Sequence, residues 1–251
     1  MRRRDFIALL GGAAAIRPLS AHAERPPARI LYFTHSAGYR HDVIPLSKAI
    51  LMRLGSSSGA FEVTATEDTS EFSSENLDRY AAVMFYTSGE LPISDGQKTA
   101  LLSFVRSGRG FLGVHSATDT FYTWPDYLDL IGGYFNGHPW HQPVTIEVVD
   151  PGDPLVDFLG NSLQVDDEIY QISDFDYGGS RVLLRLDPGS VDLGRAGVHR
   201  RFYGWPLAWT RRYGAGRVFY TALGHEPSVW QDARYQRILA NAILWSIRRS
   251  P

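Results

Sequence analysis

Residues 110–120 read GFLGVHSATDT. The first five, Gly110 to Val114, form a short apolar run with no polar break, as in a strand buried on both faces of a parallel sheet. The run stops at His115, so a histidine stands where such a strand gives way to a turn. Two other runs have the same character, RILYFT over 29–34 and YAAVMFY over 80–86, while FEVTAT over 61–66 alternates. Helical spacing separates them. Val43, Leu46, Ile50 and Leu54 fall on one stripe, with Asp42 as a candidate N-cap. Ser94-Asp95-Gly96-Gln97 is a capping-box pattern opening a helix to Ser107, with Gly108 just past its end. Another helix closes over 127–131. Further strands are expected over 144–149, 181–186, 207–211 and 217–223, with Gly214-Ala215-Gly216 as a hairpin-like turn between the last two. A final amphipathic helix covers 233–247. The alternation reads as one α/β domain: a mostly parallel sheet with helices on both faces and added strands from the second half.

The chain has 251 residues, 44% hydrophobic and 21% charged, which excludes global disorder. Its 25 basic and 27 acidic residues give a net charge of −2. With no Lys/Arg run in the body of the chain, no nucleic-acid partner is expected. There is no cysteine, which excludes disulfides, thiolate metal ligands and a cysteine nucleophile. At the N-terminus, Arg2-Arg3-Arg4-Asp5 precedes an apolar run, Phe6 to Ile16, too short to span a bilayer. Ala21-His22-Ala23 is a small-x-small cleavage site, and Arg3-Arg4-Asp5-Phe6-Ile7 looks like a twin-arginine export motif. We expect residues 1–23 to be an export leader, 24–251 a single domain, and the location periplasmic or secreted. No stable membrane insertion is expected once the leader is removed.

In open parallel sheets, ligands bind beyond the carboxyl ends of the strands. Three histidines fall there: His35 after 29–34, His115 after 110–114, and His225 after 217–223. Asp166-Asp167-Glu168, followed by Tyr170, is a carboxylate cluster. Asp166 reads as a solvated acid; Asp167 and Glu168 read equally as solvated acids or as site groups that orient an imidazole, take a proton or ligate a metal. His138 and His141 flank Pro139, which argues against a helix, and are candidate ligands, substrate contacts or loop fillers. Arg40 and His41 are candidate contacts to a polar ligand. Asp119 is a candidate helix cap or site residue. Trp124, Tyr127, Trp140 and Trp230 suit stacking on sugar rings or packing of loops over the sheet.

The order of these motifs resembles the ThuA-like (trehalose-utilisation) family. The resemblance rests on Thr34 to His41 (THSAGYRH), Gly110 to Thr120, His138-Pro139, Asp167-Glu168-x-Tyr170 and Gly216 to His225 (GRVFYTALGH), and spans about 29–247. It implies a class I glutamine-amidotransferase-like fold, a flavodoxin-like three-layer sandwich. Amidotransferase relatives carry a cysteine at the sharp strand-to-helix turn; His115 stands at the corresponding turn here, so glutaminase chemistry is not expected. The family's association with carbohydrate use, including trehalose-like disaccharides and 3-keto-sugar intermediates, implies a small carbohydrate as partner.

The resulting expectation is an enzyme acting on a sugar, a glycoside or a keto-sugar. His115, Glu168 and His225 are its expected catalytic groups. His35, Arg40, His41, Asp119, Trp124, His138, Asp167 and Tyr170 are its expected substrate contacts. A histidine or glutamate would take a proton next to a carbonyl, and a second histidine or a metal would stabilise the oxyanion. A divalent metal (zinc, manganese or iron) on His35, His115 and His225 is a candidate cofactor; an all-organic acid/base set is the alternative. A non-catalytic sugar-binding or accessory protein using the same pocket is the second reading, and a structural partner in an export complex the third.

Overall fold

The computed structural model describes residues 26–199 and 204–249. The leader expected over 1–23 lies outside the described residues. Among the described residues, eleven strands and six α-helices follow one another, alternating up to α4 and running strand after strand from β5 to β11. The strands are β1 (Ala28–Phe33), β2 (Phe61–Thr66), β3 (Ala82–Phe85), β4 (Gly110–Val114), β5 (Tyr134–Phe135), β6 (Trp140–Val148), β7 (Ser162–Ile169), β8 (Ile172–Ser173), β9 (Ser180–Leu186), β10 (Pro206–Tyr213) and β11 (Gly216–Thr221). The helices are α1 (Ile44–Ser58), α2 (Ser74–Leu77), α3 (Asp95–Arg106), α4 (Pro125–Ile131), α5 (Pro227–Gln231) and α6 (Ala233–Ser246). No helix among the described residues is long and apolar enough to cross a membrane.

Nine strands form one sheet in the order β2-β1-β3-β4-β11-β10-β9-β6-β7. The first five pair in parallel, with the strand order of flavodoxin-type doubly wound sheets. From β11 onward every pairing is antiparallel. The sheet is therefore mixed, and the expectation of a mostly parallel one is corrected. The cause is local: Gly214, at φ +58°, turns the chain back between β10 and β11, and a hairpin can only pair antiparallel strands.

Both faces of the parallel half are covered. Tyr32 on β1 hydrogen-bonds Ser47 of α1 at 2.7 Å, and Arg217 on β11 donates to the carbonyl of Trp245 in α6. The register places Tyr32, Leu112 and Gly110 on that same face. A Cβ on Gly113, one pleat over, would instead meet Ile131 of α4. Phe111, Leu112 and Val114 are fully buried between the layers.

Three local expectations change. The first helix starts at Ile44 behind Val43, with no side-chain cap, so Asp42 caps nothing. His141 lies in β6, and the acidic run 166–168 in β7, paired Gln142↔Asp167 and His141↔Glu168. Asp119 closes the 3-10 turn His115–Thr118 and caps no helix. The Ser94/Gln97 capping box forms as read.

Gly110 has no room for a side chain: a Cβ would sit 2.7 Å from Ser246 Oγ and 2.8 Å from Ala82 Cβ. Gly110→Ala is expected to cost about 1–3 kcal/mol of stability through overpacking, read as a lower urea midpoint.

Candidate functional site

The strand GFLGV delivers His115 into the left-handed region, at φ +46°. For a residue with a Cβ this costs roughly 1–3 kcal/mol, although histidine tolerates it better than most. Buried hydrogen bonds hold the turn. Tyr220 Oη donates to the His115 carbonyl at 2.7 Å and lies 2.8 Å from Thr118 Oγ1. His115 Nδ1 lies 2.7 Å from the carbonyl of Ala222. A carbonyl can only accept, so Nδ1 carries a proton, and in the neutral ring it is Nε2 that presents a lone pair.

His225 arrives on the loop that follows β11. Tyr235 Oη donates to the Leu223 carbonyl, and Tyr86 Oη and Trp230 Nε1 both donate to that of Gly224, each at 2.8 Å. The N–H groups of Gly224 and Glu226 donate to Asp167 at 2.7 and 2.9 Å. Gly224 has φ +125°, and a Cβ there would lie 2.8 Å from Tyr235 Oη. Asp167 is thus the anchor of the loop rather than a pocket residue. Burial raises its carboxyl, against the lowering effect of the His115 charge and the backbone donors.

Glu168, next on β7, meets three imidazoles. Its Oε2 lies 3.4 Å from His115 Nε2 and 3.3 Å from His225 Nδ1, and its Oε1 lies 3.1 Å from His138 Nδ1. Burial alone would raise its pKa, but the protonated forms of His115 and His225, through hydrogen bonds and charge, outweigh that and hold the carboxyl well below the ordinary range. The same hydrogen bond raises His225, against burial. His41 completes the group, its ring 4.8 Å from His115 and 5.2 Å from His225. Burial, then the His115 and His225 charges, press His41 down to about 3, and its Nδ1 is buried with no hydrogen-bond partner.

One ligand atom from each of His41, His115, Glu168 and His225 lies within 4.8 Å of every other. His115 Nε2, His225 Nδ1 and Glu168 Oε2 form a nearly equilateral triangle with sides of 3.4, 3.3 and 3.4 Å. That is longer than a charge-assisted hydrogen bond, about 2.7–2.9 Å. It is the edge of a tetrahedron whose centre lies about 2.0–2.1 Å from each corner, the bond length of zinc to nitrogen or oxygen. A three-histidine, one-carboxylate donor set suits zinc, manganese or iron(II). On the solvent side, Glu226 lies 3.9 Å from His225 Nε2 and is itself 2.8 Å from His141 Nε2.

A cavity of about 400 Å³ opens over this group, lined by Tyr39, His41, Asp119, Phe135, His138, Glu168, Tyr170 and His225. Asp119 accepts from Tyr122 Oη at 2.8 Å, and burial raises its carboxyl, against that hydrogen bond. The structure thus brings together His115, Glu168, His225, His41, His138, Tyr170 and Asp119. It does not bring in four expected members: Asp167, which anchors the loop, and His35, Arg40 and Trp124. His35 turns to the Glu67 carbonyl at 3.4 Å, and its expected place beside His115 and His225 is taken by His41. Arg40 pairs with Glu67 through two bonds of 2.9 and 3.0 Å. Trp124 is buried against Phe121 and Tyr127. Tyr127, Trp140 and Trp230 are fully buried too, so the aromatic walls are Tyr39, Phe135 and Tyr170 instead. Tyr39 could have been found beside His41 in the 34–41 motif; Phe135, in a two-residue strand, left no sequence signal.

A sequence model of the ThuA family, described as trehalose utilisation, matches residues 29–246. The chain belongs to the ThuA family. No curated protein matches it in sequence. Among solved structures, a protein described as ThuA-like from Bacteroides uniformis is similar at 23% identity and TM-score 0.75, over 91% of this chain and 94% of that one. Another from Parabacteroides merdae gives 21% and 0.70, over 88% and 90%. A β-galactosidase from Bacillus circulans sp. alkalophilus gives 13% and 0.55, over 90% of this chain but 32% of that one. At these identities the likeness shows the fold, which for ThuA proteins is the glutamine-amidotransferase-like one.

Asp167→Ala strips the acceptors from two N–H groups of the ThuA-family loop 222–226. It is expected to cost about 2–4 kcal/mol, seen as a lower melting temperature.

Proposed function

We propose that this chain is a carbohydrate-processing enzyme that holds a divalent cation on His41, His115, Glu168 and His225 and acts on a sugar, a glycoside or a keto-sugar. The observation that carries it is the triangle of His115 Nε2, His225 Nδ1 and Glu168 Oε2, with the His115 lone pair turned inward by the Ala222 carbonyl. The orphaned Nδ1 of His41 supports it, as does membership of a family described by trehalose utilisation.

When bound, such a cation supplies Lewis-acid stabilisation to an oxygen that gains negative charge. The chain's own groups do the rest. Tyr39, Phe135 and Tyr170 offer ring faces to the C–H faces of a sugar. His138, 3.1 Å from Glu168, is placed to take a proton from a carbon next to a carbonyl, the resulting imidazolium being held by that carboxylate. Asp119, raised by burial and steadied by Tyr122, is placed to hold the proton that a departing sugar oxygen needs.

Elemental analysis of purified protein is expected to find about one zinc, manganese or iron per chain. His115→Ala and Glu168→Ala should each lower occupancy at least about tenfold, and acidification should weaken binding because imidazole ligands must be neutral. With trehalose and its 3-keto derivative as probes, His115→Ala is expected to abolish turnover without changing the fold. A metal-free protein that still turns over these sugars would remove the cation from the reading. Sugar binding without turnover in the unaltered protein would favour the accessory-protein reading.

We propose export by the twin-arginine route, on the strength of residues 3–7 and 21–23. Arg3→Lys with Arg4→Lys is expected to leave the chain in the cytoplasmic fraction.

A further inference from the structure

A second hollow, of about 260 Å³, adjoins the main cavity. The two share Tyr39, His41 and His225, and the second is closed by Asp42, Val43, Glu226 and Pro227. The ring of His225 stands between them: Nδ1 lies 3.3 Å from Glu168, and Nε2 lies 3.9 Å from Glu226. Tyr39 belongs to both walls and is 62% exposed, so its ring can lie along a molecule that reaches from one hollow into the other.

The charge of this second hollow is one-sided. Asp42 caps no helix, and its carboxylate has no hydrogen bond or ion pair among the described residues. Glu226 is held in place, its Oε1 2.8 Å from His141 Nε2 and its N–H on Asp167. Neither hollow is lined by a lysine or an arginine. The nearest cations in sequence, Arg40 and Lys48, both pair with Glu67. The start of α1 lies behind Val43, but it offers an anion little: the Ile44 N–H is taken by the His41 carbonyl, and Pro45 has none. Ionised carboxylates only accept hydrogen bonds. Such a wall takes hydroxyl donors through short, charge-assisted bonds and repels a phosphate or a carboxylate.

We infer that the hollow bounded by Asp42 and Glu226 is a second subsite, which takes a hydroxyl-bearing group without negative charge joined to the sugar in the main cavity. The substrate is then an uncharged, two-part glycoside, and its phosphorylated form is turned away. This rests on the carbohydrate reading of the main cavity and adds what lies beyond the first ring. A single sugar ring in the main cavity leaves Asp42 and Glu226 to water, so the subsite shows itself as a preference for the linked compound over the single ring.

The test is calorimetric titration of the purified full chain with glucose, trehalose and trehalose 6-phosphate. Trehalose is expected to bind at least about tenfold tighter than glucose, and trehalose 6-phosphate at least about tenfold weaker than trehalose. Asp42→Asn should cut the preference for trehalose over glucose about fivefold. Asp42→Lys should close or reverse the gap between trehalose and its phosphate. Asp42 is exposed and supports no other group, so both variants are expected to melt with the unaltered chain. Three results would overturn the subsite while leaving the carbohydrate reading in place: glucose bound as tightly as trehalose, the phosphate bound as tightly as trehalose by the unaltered chain, or preferences that neither substitution moves. Binding of none of the three compounds would remove the carbohydrate reading and the subsite together.

Discussion

The hydrogen bond from His115 Nδ1 to the Ala222 carbonyl is the contact on which the site depends. It joins the exits of two neighbouring strands, β4 and β11, whose last residues Val114 and Thr221 are in register. One bond does two things. It pins the imidazole across the sheet rim, and it decides which ring nitrogen keeps its proton. Every statement about Nε2 as a donor of electrons follows from that choice. The left-handed backbone at His115 persists because the surroundings over-determine it: the carbonyl is held by Tyr220, the ring by Ala222, and the following turn by Tyr127 on Ala117.

The cluster is a polar island in an aromatic shell. Tyr86, Tyr220, Tyr235 and Trp230 each spend their single N–H or O–H on a carbonyl of the two rim loops. Burial drives the three phenols far above their ordinary range, so they remain donors. This satisfies the backbone of loops that would otherwise bury unpaired groups, and it makes the loops rigid. Positioning is thereby separated from chemistry. Asp167 and the aromatic donors place the loop, and Glu168 and the imidazoles are left facing one another.

The parallel half was legible because its strands are continuous apolar runs and its helices carry ordinary start and stop signals, such as Ser94/Gln97 and Gly108. The same reading located His115 and His225 at the rim, since both follow such runs directly. The antiparallel half was less legible. Individual strands such as 181–186 were visible, but their pairing depends on which hairpins form, and local sequence does not fix that. His35 and His41 show the limit most clearly. Both follow β1, and the nearer one looked like the rim residue. The chain turns after Ser36, and the backbone N–H groups of Ala37 and Gly38 bond to the Ser88 carbonyl. That turn carries the later histidine inward and leaves His35 against Glu67. Asp167 and Glu168 could not be told apart because adjacent strand residues point to opposite sides, and only the register to β6 says which side is the cavity.

His41, His115 and His225 hang from the parallel half of the sheet, whereas Glu168 and Asp167 belong to β7, the edge strand of the antiparallel half. Each half alone holds an incomplete set of donors. Any ligand that touches both an imidazole and Glu168 therefore works as a clasp between two structural provinces, and its binding energy adds directly to their cohesion. Conversely, local fraying at the outer edge of the sheet, far along the strand order from His115, is enough to dismantle the site while the flavodoxin-type half stays intact.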